Sequence, residues 1–268
     1  MIKDYVSTAV GKYNIDNLLE IVALLRSKDG CPWDKVQTHE SIRGSLIEET
    51  YEAADAIDKN DMSALKEELG DVLLQVVFHA QIERENGSFN FDDVCDGVCR
   101  KLILRHPHVF GSVEADTPDE VLNNWDNIKR QEKEQKTFTD TLTSVPDAFP
   151  ALMRAQKLQK RASKAGYDFA DVNDAMDKLS EELCELSEAI SSGNKEDVFG
   201  EIGDVLFSAV NVSRHLGVDA EDALAKSADK FVSRFAAAES LASERGQALD
   251  ELGAQELDVL WNEAKKKE

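Results

Sequence analysis

The feature that most constrains the fold of this chain is an internal repeat. When the 268-residue sequence is aligned with itself at a shift of 133 positions (182 − 49 = 133), one pattern of acids, glycines and aliphatic residues recurs. The first-copy positions are Ile42, Leu46, Glu49, Glu52, Ile57, Glu68, Gly70, Asp71, Val72 and Leu73, which match Ala175, Leu179, Glu182, Glu185, Ile190, Glu201, Gly203, Asp204, Val205 and Leu206. The repeat predicts two tandem domains of one design. We place their boundary near residue 145, in the Thr- and Pro-containing stretch "KTFTDTLTSVPDAFP", giving domains 1–145 and 146–268.

Both copies are predicted to be all-α. The chain is rich in helix-forming residues and holds only 5 Pro and 14 Gly. In the first copy, a helix with Leu18, Val22 and Leu25 on one face is expected to break at Pro32. The further helices are expected at residues 39–59, 61–86, 91–105 and 117–136, and in the second copy at 151–165, 171–191, 194–216, 219–245 and 254–266.

The third helix of each copy contains a long apolar segment, "VLLQVVFHA" in one and "VLFSAVNV" in the other. A lone surface helix does not carry such a segment. The predicted fold class is therefore all-α, two tandem helical bundles, with each bundle completed by dimerisation.

Helical geometry separates the acids of the repeat. With Ile42 at zero and about 100° per residue, Ala53 falls near +20° and Glu49 near −20°, inside the apolar arc. Glu52 falls near −80°, at the edge of the arc, and Glu48 lies on the polar side. The second copy repeats this with Glu182 inside, Glu185 at the edge and Glu181 outside. A carboxylate inside an apolar arc needs a partner, because an unpaired buried charge is costly.

The following helix supplies candidates for that partnership. Glu68 and Asp71 share one face at i and i+3, as do Glu201 and Asp204. Two antiparallel helices would bring four carboxylates together in each copy, and such a group is stable only around a cation. All-oxygen ligands favour Mg²⁺, with Mn²⁺ as the alternative.

Three other interpretations fit parts of the sequence. Isolated acids are most often on solvated helix faces, and a helical adaptor would explain them as solubility, but neither explains Glu49 and Glu182 in matched apolar arcs. A di-iron bundle usually carries Glu-x-x-His, which occurs nowhere in this sequence.

The net charge of −22 argues against nucleic acid and anionic membranes as partners. No apolar run approaches the ~20 residues of a membrane span. Cys31, Cys95, Cys99 and Cys184 lack zinc-site spacing and are interpreted as reduced thiols of a cytoplasmic protein.

The motifs resemble one known family. "EETYE…EELGD" and "EELCE…EIGD" are similar to the EExxE…ExxD signature of the MazG-type nucleoside triphosphate pyrophosphohydrolases, as are "GCPWDKVQTHESI", "RHPHVFG", "NWDNIKRQEK" and "RHLGVDAEDALAKSADKFVSRF". The resemblance covers residues 15 to 266. It implies two MazG domains that dimerise, Mg²⁺ in each intact site, and hydrolysis of nucleoside triphosphates between the α and β phosphorus to a monophosphate and pyrophosphate. A related all-α pyrophosphohydrolase with a narrower substrate, dUTPase-like or phosphoribosyl-nucleotide, is the close alternative.

The resemblance also implies roles for individual residues. It makes Glu182, Glu185, Glu201 and Asp204 metal ligands, with Glu49, Glu52, Glu68 and Asp71 as their first-copy counterparts, and it favours the second copy as the active one. Glu181 and Glu182 are the catalytic candidates; Glu181, outside the apolar arc, either orients water or is simply solvated.

An acidic site needs cations to admit a polyanionic substrate. Lys230 and Arg234, in the family's "KFxxR" pattern, and their counterparts Lys101 and Arg105 are candidates, and Lys178 lies one turn before Glu182. Trp261 matches a nucleotide-contacting position of the family, and Trp125 is its counterpart. The family carries a lysine near position 197, where this chain has Asp197 and instead places Lys195 two residues earlier.

Overall fold

A computed structural model describes residues 11–113 and 117–266. The described residues are helical and contain no strand, which confirms the all-α prediction. The helices are α1 (Ile15–Arg26), α2 (His39–Asp58), α3 (Met62–Asn86), α4 (Phe91–Arg105), α5 (Pro107–Phe110), α6 (Pro118–Glu132), α7 (Phe138–Thr143), α8 (Ala151–Lys164), α9 (Val172–Ser192), α10 (Lys195–His215), α11 (Ala220–Glu244) and α12 (Ala254–Ala264). Short 3₁₀ turns lie at Asp34–Val36 and Leu249–Glu251.

The helix ends follow from local capping. Thr38 accepts a hydrogen bond from the Ser41 amide at the start of α2, and Asp61 caps α3 by accepting from the Ser63 and Ala64 amides. Gly87 ends α3 with φ of 75°, a left-handed conformation that favours glycine. These limits of α3 agree with the helix predicted at residues 61–86.

The prediction that the first helix breaks at Pro32 is wrong, because α1 already ends at Arg26. The Ser27 hydroxyl and amide both donate to the Leu24 carbonyl, which closes the helix before the proline is reached. The chain then turns tightly, and a side chain on Gly30 would lie 2.2 Å from the Leu25 carbonyl oxygen. This close approach requires glycine.

Contacts divide the chain into two compact units, residues 1–129 and 130–268. In the first unit, α2 and α3 form an antiparallel hairpin with α1 against it, around a core of Val22, Ile42, Val77, Phe78 and Ile82. The α2–α3 connection spans only residues 59–61.

In the second unit, α9 and α10 form the matching hairpin, with α8 packed on α10. The short helix α7 packs on α8, where the Arg161 guanidinium donates to the Thr141 carbonyl and the Ser144 hydroxyl. A separate core of α11 and α12 contains Leu241, Ala242 and Leu260. Residues 130–145, which precede the predicted boundary, thus belong to the second unit. The limits of the two family domains stay a prediction.

Each hairpin leaves matched apolar side chains exposed in the single chain. Ile57, Leu69 and Leu73 are exposed in the first unit. Their repeat partners Ile190, Ile202 and Leu206 are exposed in the second.

Candidate metal and nucleotide site

The second hairpin brings three of the predicted ligands together. Glu182 comes from α9, and Glu201 and Asp204 come from the first turns of α10; one carboxylate oxygen of each lies within 4.8 Å of the others. Gly193, with φ of 73°, and the N-cap Asn194 make the turn that folds α10 back along α9. Glu182 is buried, with 7% of its surface exposed, as its place in the apolar arc predicts.

Glu185, the fourth predicted ligand, is exposed and lies beside this group of three. Loss of water contact raises the pKa of Glu185, and its hydrogen bond to Glu182 together with the negative charges of Glu182 and Glu201 raises it further. Glu185 is therefore electrostatically coupled to the cluster although its oxygens are not within it.

One oxygen of the cluster has no partner. The Glu201 Oε2 atom is buried and makes no hydrogen bond. A buried carboxylate oxygen without a donor is costly unless a cation meets it. The three converging carboxylates and this unpartnered oxygen fit a hard divalent cation such as Mg²⁺.

A lysine is built into the second cluster. The Lys178 Nζ atom lies 2.9 Å from Glu182 Oε1 and 3.0 Å from Glu181 Oε1. Hydrogen bonds to Glu182 and then to Glu181 raise the pKa of Lys178, so the ammonium stays charged. Glu181 itself is exposed, in agreement with the wheel.

The first hairpin repeats the carboxylates without the lysine. Oxygens of Glu49, Glu68 and Asp71 lie within 4.8 Å of one another, and all three residues are half-buried. Ser45 stands at the position that matches Lys178 (178 − 133 = 45).

In the first cluster, burial and neighbouring carboxylates raise the pKa of two acids. Burial raises the pKa of Glu49, and the charges of Asp71 and Glu52 add to it. The pKa of Glu68 is raised by burial and then by Glu52 and Asp71. Glu52 itself is exposed and, like Glu185, lies outside the group of three. Burial first, and then repulsion between carboxylates, therefore disfavours the charged forms of Glu49 and Glu68.

A cavity of about 550 Å³ opens beside the second cluster. Lys178, Glu182 and Asp204 line one part of it. The remaining wall is mainly apolar and aromatic, with polar groups from Gln159, Ser208, Asn211 and Arg214. Small-molecule sites are typically concave, about 300–1,000 Å³ in volume, and mostly apolar with a few polar groups, so this cavity suits a ligand of nucleotide size.

An ion pair holds one rim of the cavity. Arg214 of α10 donates to both carboxylate oxygens of Asp168, in the loop before α9, and also to Asn211 Oδ1. Burial alone would raise the pKa of Asp168, but the hydrogen bonds and charge of Arg214 lower it below its usual value. This pair, Gln159 and the cavity itself were not predicted from the sequence. The signal nearby is the similarity of "RASKAGYDF" (161–169) to "RSKDGCPWD" (26–34) in the first copy.

The other predicted substrate-binding residues lie on different helices. Trp261 of α12 packs against Phe231 of α11, with ring centroids 5.2 Å apart, and Lys230 is exposed on α11. Among the described residues that line the cavity, Lys230, Arg234, Trp261 and Lys195 are not found. Their binding role stays a prediction.

In the first unit, the predicted counterparts form a small group of their own. The Arg105 guanidinium lies 5.5 Å from the centroid of the Trp125 ring, which also meets the His106 ring edge-on at 4.9 Å. Lys101 is exposed on α4. The binding role of these residues likewise stays a prediction.

A histidine pair occupies the far end of the first hairpin. His39 Nδ1 lies 2.7 Å from His79 Nδ1, and His39 Nε2 lies 2.7 Å from Glu83 Oε1. The hydrogen bond from His39 lowers the pKa of Glu83, whereas burial and then the charge of His39 lower the pKa of His79. These contacts join the start of α2 to α3, and His39 lies ten residues before Glu49 (49 − 39 = 10).

Comparisons with known proteins agree with this geometry. A family model described as the MazG nucleotide pyrophosphohydrolase domain matches residues 37–110 and 171–236, and each match contains one carboxylate cluster. A nucleoside triphosphate pyrophosphohydrolase/pyrophosphatase MazG from Thermotoga maritima is 47% identical over 250 residues, covering 93% of this chain and 95% of that protein. A nucleoside triphosphate pyrophosphohydrolase from Escherichia coli (strain K12) is 42% identical over 260 residues, covering 95% and 98%. No helix in the described part of the chain has the length and apolarity to cross a membrane.

Proposed function

This chain belongs to the MazG nucleotide pyrophosphohydrolase family, and we propose that it is a Mg²⁺-dependent enzyme that hydrolyses nucleoside triphosphates between the α and β phosphorus. The products are a nucleoside monophosphate and pyrophosphate. The observation that carries the proposal is the cluster of Glu182, Glu201 and Asp204, with the unpartnered Glu201 Oε2, at the edge of a cavity of nucleotide size. The activity for which the two relatives are named supports the reaction class.

Glu182, Glu201 and Asp204 would hold the divalent cation, with Glu185 beside them as the fourth ligand. When bound, Mg²⁺ or Mn²⁺ supplies charge neutralisation at the phosphate oxygens and lowers the pKa of a water molecule. The charge of the cluster is therefore a requirement of the chemistry rather than a solubility feature.

The chain's own groups bind and orient the substrate. Lys178, which Glu181 and Glu182 hold at the cluster, presents an ammonium group to an incoming phosphate. Glu181 is exposed at the edge of the cluster and is the group we assign to orienting the attacking water. Lys195, Lys230, Arg234 and Trp261, with Lys101, Arg105 and Trp125 in the first copy, are kept as proposed nucleotide contacts.

The first cluster is proposed to bind a cation as well. Glu49, Glu68 and Asp71 converge as closely as their counterparts do, with Glu52 alongside. Ser45 stands where the second copy has Lys178, so the first site lacks the ammonium group that we assign to the phosphate. We therefore propose that the second copy carries the activity.

We propose that the protein acts as a homodimer. The exposed residues Ile57, Leu69 and Leu73 recur as Ile190, Ile202 and Leu206, so the same apolar face is presented by both hairpins. Isologous contact between two copies would cover such a face and complete the bundles. Light scattering coupled to size exclusion tests this, and a monomer at micromolar concentration contradicts it.

The activity is tested with a panel of ribo- and deoxynucleoside triphosphates and Mg²⁺, with products separated by ion exchange. Wild type should release monophosphate and pyrophosphate. Release of diphosphate and orthophosphate would refute cleavage between the α and β phosphorus.

Two matched variants assign the working site. Glu182→Gln should abolish turnover, and Glu49→Gln, the same change in the first copy, should leave most of it. Loss of activity in Glu49→Gln alone would move the reaction to the first copy.

A further inference from the structure

The cavity beside the second cluster contains a buried acceptor whose orientation is fixed. Gln159 on α8 is 6% exposed, and its Nε2 atom donates to the Phe207 carbonyl of α10 at 2.8 Å. A carbonyl oxygen can only accept, so the amide nitrogen must face Phe207 and the amide oxygen must be the other end. That atom, Gln159 Oε1, is buried and makes no hydrogen bond.

An unsatisfied buried acceptor in a ligand-sized cavity calls for a donor from the ligand. The surrounding wall is apolar, with Leu158, Ala162 and Phe207 among the lining residues. A flat heteroaromatic ring with N–H groups on its edge meets both requirements, because its faces contact the apolar wall while its edge donates to Oε1.

The position of Gln159 relative to the carboxylates matches the length of a nucleotide. Along α10, Asp204, Phe207, Ser208 and Asn211 lie on one face of the helix and all line the cavity. Asn211 follows Asp204 by seven residues, about 10 Å along the axis at about 1.5 Å per residue. Gln159 bonds to Phe207, which follows Asp204 by three residues, or about 4.5 Å along the axis, so a ring beside Gln159 is displaced along α10 from a phosphate at Asp204.

The first repeat gives an internal comparison. Phe78 matches Asn211 (211 − 133 = 78) and is buried in the core of the first unit. Leu24 matches Gln159 when Arg26 is aligned with Arg161. Gln159 and Asn211 therefore have apolar counterparts in the first copy. Gln159 also lies outside both ranges that the family model matches.

We propose that this cavity binds the nucleobase and that Gln159 Oε1 accepts a hydrogen bond from a base N–H, which makes Gln159 a specificity-determining residue of the second site. The inference rests on the proposed function, since it assigns the base end of the same substrate. Bases that present a ring or exocyclic N–H, such as adenine, are the substrate class it selects.

The test compares ATP with purine riboside triphosphate, whose base has no N–H, on wild type and on Gln159→Leu. In wild type kcat/KM should favour ATP about tenfold, because a site built to receive a donor discriminates against an analogue that lacks it. In Gln159→Leu the ratio should fall to about one. Equal rates on both substrates in wild type, or an unchanged preference in the variant, would overturn the proposal.

A matched control separates base recognition from helix packing. Gln156→Leu makes the same change on α8 at a residue that bonds to Val218 and Ala220 instead of lining the cavity. It should keep the wild-type ratio, and a ratio of one in this variant would also overturn the assignment.

A binding measurement distinguishes this inference from the proposed function. Calorimetric titration with AMP and with purine riboside monophosphate needs no turnover, and wild type should bind AMP more tightly while Gln159→Leu does not distinguish the two. Absence of any triphosphate hydrolysis by wild type would reject the proposed function. Hydrolysis without base discrimination would reject only the role of Gln159.

Discussion

Replacing Glu49 and replacing Glu182 by Gln should have opposite effects on stability when no metal is bound. In the first cluster Glu49 faces Glu68 and Asp71, with oxygens within 4.8 Å and no lysine at position 45. In the second cluster Glu182 is paired with Lys178 at 2.9 Å. Glu49→Gln therefore removes mainly repulsion, whereas Glu182→Gln also removes the ion pair with Lys178.

The size of the gain follows from Coulomb's law for Glu49 and Asp71. Two unit charges 4.8 Å apart interact by about 0.9 kcal/mol in water and about 3.5 kcal/mol at an effective dielectric constant of 20. Glu49 is half-buried, and solvent screening brings the value toward the lower limit. We expect Glu49→Gln to raise the free energy of unfolding by about 1 kcal/mol, or the melting temperature by about 3 °C.

The assay is urea and thermal unfolding followed by far-UV circular dichroism near neutral pH, in EDTA and then in millimolar Mg²⁺. In EDTA, Glu49→Gln should exceed wild type and Glu182→Gln should fall below it. Added Mg²⁺ should stabilise wild type by mass action, about 2.7 kcal/mol at 100 times its dissociation constant. Each variant should lose the part of this gain that its own site provides.

The control is Glu48→Gln, a neighbouring exposed acid outside the group of three, which should change stability less than Glu49→Gln does. If Glu49→Gln and Glu182→Gln shift the EDTA midpoint in the same direction by similar amounts, the electrostatic reasoning fails. Stabilisation by Mg²⁺ that survives in both single variants and in the double variant would show that the cation binds elsewhere.

The remaining predictions concern the cavity rim, pH and one turn. Asp168→Asn should lower the free energy of unfolding by about 2 kcal/mol, because it leaves the largely buried Arg214 guanidinium without its carboxylate; urea unfolding measures this, and an unchanged midpoint would contradict it. Since the pKa of His79 is lowered in the folded state, the unfolded chain binds the proton first. Stability should therefore decline as pH falls below about 6.5 until the folded-state pKa is passed, and His79→Gln should show a shallower decline over that window. Gly30→Ala should destabilise the protein strongly because its side chain would overlap the backbone of α1. Gly44→Ala, within α2 and facing open space, should raise the free energy of unfolding by about 0.5–1 kcal/mol. Thermal melts measure both variants, and a shift of the two melting temperatures in the same direction would contradict the reasoning.

The local features of this protein could be predicted from its sequence because they depend on periodicity and on residues a few positions apart. The repeat fixes two hairpins of one design, and the wheel places Glu182 inside and Glu181 outside, as observed. Helix limits followed from caps such as Asp61 and Gly87. Where a cap was not recognised, at Ser27, the predicted end was wrong.

The tertiary structure decided what depends on distances between segments. It brings Glu182, Glu201 and Asp204 within 4.8 Å and leaves Glu185 outside that group, a distinction that a shared helix face does not make. Angles on a single helix do not specify how far a side chain reaches across to its neighbour.

The same limit applies to the cavity. Gln159 and Phe207 meet across 48 residues of sequence, and His39 meets His79 across 40. Neither pairing leaves a periodic signal, because each is set by how helices pack. The repeat determined that there are two acidic clusters, and packing alone determined that a ligand-sized, mainly apolar cavity opens beside the second.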